Sequence, residues 1–141
     1  MSLRKYYFEA LILSICVGVI IRASLLLVTG QPLFSNVFSY AISTLIAAVS
    51  CSITFFIHFK VLVNSRYTLS VKYMVSAVLI LFVYLIGNLM FGGLSVVSEK
   101  AFYVYAAIIL LLSFPLIYHV NKKVHKYDKY LQLKQSRNSD T

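Results

Sequence analysis

Three stretches of this chain run for the width of a membrane without a single Asp, Glu, Lys or Arg: residues 23–57, 73–98 and 101–118. A helix that crosses a bilayer needs ~20 mainly apolar residues, because hydrocarbon offers its backbone no hydrogen-bonding partner. The first stretch is too long for one crossing, and the turn signal Gly30-Gln31-Pro32 divides it. Helices are therefore expected over 7–29, 34–58, 69–93 and 100–118, with short loops near 30–33 and 94–100. The fold class that follows is an all-α integral membrane protein, a four-transmembrane-helix bundle.

Composition supports the same class. Of 141 residues 60% are hydrophobic and only 12% charged, where soluble domains charge roughly a quarter of their residues. A net charge of +9 would point to nucleic acid in a soluble chain; here the placement of the cations decides. Arg4 and Lys5, then Lys60, Arg66 and Lys72, then Lys122, Lys123, Lys126, Lys129, Lys134 and Arg137 fall at one end of the expected spans. Lys100 stands alone in an opposite loop, and Arg22 lies inside the first helix. Cations in short loops stay cytoplasmic, so both termini are expected inside a bacterial plasma membrane, facing anionic lipid headgroups, with no direct contact to nucleic acid. Aromatic residues mark two belts, Tyr6, Tyr7, Phe55, Phe59 and Tyr118 on the inner side and Phe34, Phe38, Phe91 and Phe102 on the outer. The basic start followed by an apolar run has the look of a signal peptide, but the apolar character continues to Val28 without a small-residue cleavage pattern, so a retained first helix is expected.

Small residues give the packing. Ala10, Ser14, Gly18 and Arg22 recur every four residues in the first helix, and Ser39, Ser43, Ala47, Ser50 and Thr54 form a hydroxyl-bearing stripe on the second. Such stripes let helices approach closely; the alternative is a polar path lined by the hydroxyls. Two intramembrane charges need partners. Glu9 is expected to reach the inner headgroups or pair with a loop cation such as Lys60 or Lys72, the alternative being a proton-coupled or cation-binding carboxylate, and Arg22, thirteen residues on, to reach the outer interface or meet Glu99. Cys16 and Cys51 have no metal or redox spacing and read as small buried residues; His58, His119 and His125 read as interfacial. No metal, cofactor or enzymatic constellation is expected.

The last span runs into a basic segment, 119–134, in which Val120, Val124, Tyr127 and Leu131 share one helical face while Lys122, Lys126 and Lys129 lie elsewhere. That segment is expected to be a helical continuation, followed by a disordered tail over 135–141. It is either an anchor lying on anionic lipid or a docking surface formed by Val120, Lys123, Val124, Tyr127 and Leu131 together with Arg66 and Tyr67 of the inner loop.

The order of these features, a basic start at Arg4-Lys5, a hairpin through Ser65-Arg66-Tyr67-Thr68-Leu69 and a lysine-rich tail from Tyr118 to Leu131, resembles the small four-helix membrane proteins that bacteria encode beside LytTR-type transcription regulators. The resemblance implies a membrane-bound inhibitor that sequesters a cytosolic DNA-binding regulator until a signal releases it. A small four-helix transporter or flippase, of the drug-exporter or polyprenol-sugar type, and a structural subunit of a larger complex are the alternatives. A homodimer through the small-residue stripes is also compatible with the pattern.

Overall fold

The computed structural model describes residues 2–63 and 66–139. Four helices make up the fold: α1 (Leu3–Val28), α2 (Val37–Lys60), α3 (Leu69–Gly92) and α4 (Lys100–Ser139), with a 3-10 turn at Leu94–Ser98 before α4. All four are long and apolar enough to cross a membrane, and no strand occurs among the described residues.

Local chemistry sets the boundaries. α1 stops where Gly30 takes φ 67°, the amide of Gln31 bonding back to the Leu26 carbonyl at 2.9 Å and that of Gly30 to Leu27 at 3.2 Å. This six-residue closure satisfies the terminal carbonyls and needs a left-handed residue at Gly30. α2 begins at Val37, later than the expected 34, because Asn36 is its cap: its side chain accepts from the Ser39 amide at 3.1 Å. Thr68 caps α3 in the same way through Val71. α4 is a single helix with Pro115 inside it. The expected extension past 118 forms, and helix rather than an irregular tail continues from 135 to Ser139. Gln132 Nε2 donates to Asp128 Oδ2 at 2.9 Å one turn away, supporting this stretch from within; Asp140 and Thr141 lie outside the described residues, as do Asn64 and Ser65 of the α2–α3 hairpin.

Cross-helix contacts give the topology. Tyr7 meets Ser52, Gly18 meets Ser43 and Arg22 meets Ser39, so α1 and α2 are antiparallel. Tyr84 with Phe102 and Tyr73 with Phe114 set α3 against α4 the same way. No residue of α1 comes near α3. The two therefore occupy opposite corners of an up-down-up-down bundle, and both chain ends emerge at one end of it.

The two expected small-residue stripes do face each other. A Cβ on Gly18 would lie 2.9 Å from Ala47 Cβ and 3.1 Å from the Ser43 carbonyl, and Ser43 Oγ donates to the Gly18 carbonyl at 2.9 Å. Close backbone approach and the hydrogen bonds across the seam, this one with Tyr7–Ser52 and Arg22–Ser39, take the place of the hydrophobic drive between lipid-facing helices. At the end that carries both termini, Ala10, Cys51, Phe55, Val120 and Val124 form a buried cluster flanked by Tyr6, Tyr7 and Phe59. Cys51 is buried as expected, whereas Cys16 is exposed, on the side of α1 turned away from its neighbours.

Candidate functional site

At the end of the bundle that carries both termini, Glu9 is held by α4. Its Oε1 lies 3.3 Å from His119 Nε2 and 3.4 Å from Lys123 Nζ, and Lys123 also donates to Oε2 at 3.4 Å while sitting 5.1 Å from the centre of the Tyr6 ring. The expected partners Lys60 and Lys72 are corrected here. α1 packs on α4 at this level, and the spacing of four between His119 and Lys123 sets both on the face that meets α1. The ion pair and the cluster around Val120 and Val124 together clamp α1 to the root of the α4 extension.

Part of the expected docking face is turned into the bundle. Val120 is 6% and Val124 3% exposed, both packed into the buried cluster, and Lys123 is committed to Glu9. Tyr127 lies beside Phe59 with ring centres 6.1 Å apart, and Leu131 is half-buried. The apolar stripe therefore seals the bundle's end. What the extension leaves open is a basic face, Lys126, Lys129, Lys134 and Arg137, with Tyr130 and Leu133 as its exposed apolar members. Arg66 and Tyr67 are exposed in the hairpin at the same end.

Between the helices lies a cavity of about 500 Å³. It runs from Arg22, Ser39 and Glu99 at the end away from the termini to Thr54 and Val120 near the clamp. α1 and α3, the diagonal pair of the closed bundle, face each other across it without touching. Arg22 Nε donates to Ser39 Oγ at 2.8 Å, and Ser39 Oγ donates to the Asn36 carbonyl at 2.7 Å, so the cap of α2 positions the guanidinium. The expected meeting of Arg22 with Glu99 does not occur as an ion pair among the described residues; the two charges line one mouth separately. Deeper in, Tyr84 donates to the Phe102 carbonyl at 3.3 Å and Asn88 to the Tyr84 carbonyl at 2.8 Å, so both are satisfied within the protein. Thr54 Oγ1 is buried without a hydrogen-bond partner. The hydroxyl stripe thus does two things, sealing the α1–α2 seam at Ser43 and bordering the cavity at Ser39, Ser50 and Thr54.

His58, expected at the interface, is 1% exposed instead: its Nδ1 lies 3.1 Å from the Thr54 carbonyl and 3.5 Å from Ser76 Oγ, with Nε2 unpartnered. Lys72, expected on the loop side, is 9% exposed in the first turn of α3. Both sit where α2 and α3 meet, a pairing that no single-helix pattern carries. Among the described residues no cluster of His, Cys, Asp or Glu has the makings of a metal site.

No protein-family model, curated protein or solved structure matches the chain.

Proposed function

We propose that the protein is a bacterial plasma-membrane inhibitor that holds a cytosolic LytTR-type transcription regulator at the membrane, with both termini cytoplasmic. The observation that carries this reading is α4. It is one unbroken helix of 40 residues, ~60 Å long at 1.5 Å per residue, while a bilayer core takes up only ~30 Å. Half of it is therefore free to stand in water, and its root is clamped by Glu9, Val120 and Val124. A helix held at its base presents a fixed surface.

The chemistry of that surface selects the partner's. Tyr130 and Leu133 supply apolar anchors within a lysine-rich rim, so the matching patch on the regulator is acidic around an apolar centre and distinct from its basic DNA-binding face. The test is to express the full chain and a chain lacking residues 125–141 with a LytTR-type regulator from the same genome. The full chain should retain the regulator in the membrane fraction and silence its promoter; the shortened chain should insert equally well and do neither. Unchanged silencing by the shortened chain refutes the reading.

The cavity favours a second reading, a small transporter or flippase. Glu9 does not line the cavity, so Arg22 is the residue on which transport would depend. A transporter would lose function on Arg22→Gln and keep it without residues 125–141, the reverse of what an inhibitor would show.

A further inference from the structure

Arg22 is a guanidinium inside a helix of membrane-crossing length, and its contacts leave it incomplete. Of its five N–H groups, Nε is used by Ser39, and no carboxylate pairs with it among the described residues. A cation in the apolar part of such a helix is costly unless it reaches water or a partner, and Arg22, half-buried six residues from the end of α1, reaches the cavity mouth. Glu99, an exposed residue that also lines the cavity at this end, has no ion pair among the described residues, and its neighbour Lys100 does not line the cavity. One mouth thus offers one cation and one anion, each unpaired by the protein. Behind them the cavity follows α2 from Ser39 to Thr54, a run of about 22 Å at 1.5 Å per residue. Its wall is mostly aliphatic, from Val17, Ile21, Ile42, Ile80, Ile109 and Leu116, and its volume of about 500 Å³ falls in the range of ligand sites.

We infer that this cavity binds a single-chain lipid with a zwitterionic head, the head's anion on Arg22, its amine on Glu99, and its acyl chain lying along the aliphatic wall towards Thr54. The planar guanidinium with its terminal nitrogens open suits a phosphate oxygen pair, and the carboxylate discriminates against heads that carry only negative charge. The inference is independent of whether the protein inhibits or transports.

The test uses the full chain purified in neutral maltoside micelles and three probes sharing an oleoyl chain: lysophosphatidylethanolamine, lysophosphatidylglycerol and monoolein. Native mass spectrometry should show saturable binding of one lysophosphatidylethanolamine per chain, with monoolein weaker by about tenfold or more, the loss expected on removing a charge-assisted contact. Arg22→Gln should bring the phospholipids down to the level of monoolein. Glu99→Gln should raise lysophosphatidylglycerol to match lysophosphatidylethanolamine, and Ser113→Phe, which fills the cavity, should remove all three. Equal binding of the three probes by the unaltered chain overturns the inference, as does unchanged binding by Arg22→Gln. A diazirine in the chain of lysophosphatidylethanolamine keeps the test independent of the variants' folding. It should label the cavity residues of α2 and α4 in the unaltered protein, and labelling confined to outward-facing Leu45, Phe56, Val78 and Phe82 would also overturn it.

Discussion

Three glycines show how much a single position depends on what faces it. A Cβ at Gly18 would meet Ala47 Cβ at 2.9 Å and the Ser43 carbonyl at 3.1 Å, a short side chain and a backbone, neither of which can rotate away. At Gly87 a Cβ would meet Ile46 Cδ1 at 2.7 Å and Cγ1 at 2.8 Å, so the Ile46 side chain must turn about its stiff χ1, with the cavity beside it offering room. Gly18→Ala should therefore destabilise the bundle by ~1–3 kcal/mol as overpacking against neighbours that cannot move, whereas Gly87→Ala should cost less, ~1 kcal/mol, the strain of moving one side chain off its rotamer. Thermal unfolding of the two purified variants in one detergent checks the order. Gly30 is a third case: its surroundings are open, so Gly30→Ala should cost ~1 kcal/mol purely through its left-handed backbone. The sequence showed Gly18 in a small-residue stripe, and that was enough to place it at a helix seam. Glu9 was less legible. Its shallow depth could be read, but the partner lies 114 residues away in α4, and no local spacing says which helix comes alongside.

At the scale of the element, α4 separates two uses of an amphipathic pattern. The periodicity of Val120, Val124, Tyr127 and Leu131 correctly marks an apolar face, but hydrophobic spacing says nothing about what covers that face. In the structure the bundle itself covers the first two. Val124→Asp would then bury an unpaired carboxylate, at a cost of several kcal/mol, and should show as poor insertion or a large fall in thermal stability. Tyr130→Ser with Leu133→Ser alters exposed positions, so the variant should keep its unfolding temperature and, on the proposed function, fail to retain a LytTR-type regulator in the membrane fraction. Helix ends were legible at Thr68 and Gly30, but not at the start of α2, where the Asn36 cap sets a beginning three residues later than hydropathy gives. They were not legible at the C-terminus, where a polar composition was compatible with either disorder or the helix that runs to Ser139.

On the scale of the whole molecule, three charge-free runs, the first divided at Gly30-Gln31-Pro32, pointed to four antiparallel helices, and the short connections left little choice of topology. The cavity was beyond reach of such reasoning. It lies between all four helices, a matter of helix placement that hydropathy does not encode; only the hydroxyl stripe on α2 hinted at it. The topology itself is testable on a chain in which Cys16→Ser and Cys51→Ala remove the native thiols. Single cysteines introduced by Arg4→Cys and Arg137→Cys should react with an impermeant maleimide only from the cytoplasmic side, and those from Leu33→Cys and Ser95→Cys only from outside. Labelling of Arg4→Cys and Arg137→Cys from opposite sides would exclude an even number of crossings.

Val120 belongs at once to the wall of the cavity and to the grip on α1. The helix stays packed as far as Tyr127, which rests on Phe59, and from there twelve residues reach Ser139, a pole of about 18 Å at 1.5 Å per residue. Pivoting it by about 10° would carry the tip roughly 3 Å, about half the pitch of a helical turn. A change too slight to unseat any side chain inside the hydrocarbon is thus magnified, by leverage alone, into a shift that a protein resting on Tyr130 and Leu133 would feel as a different surface.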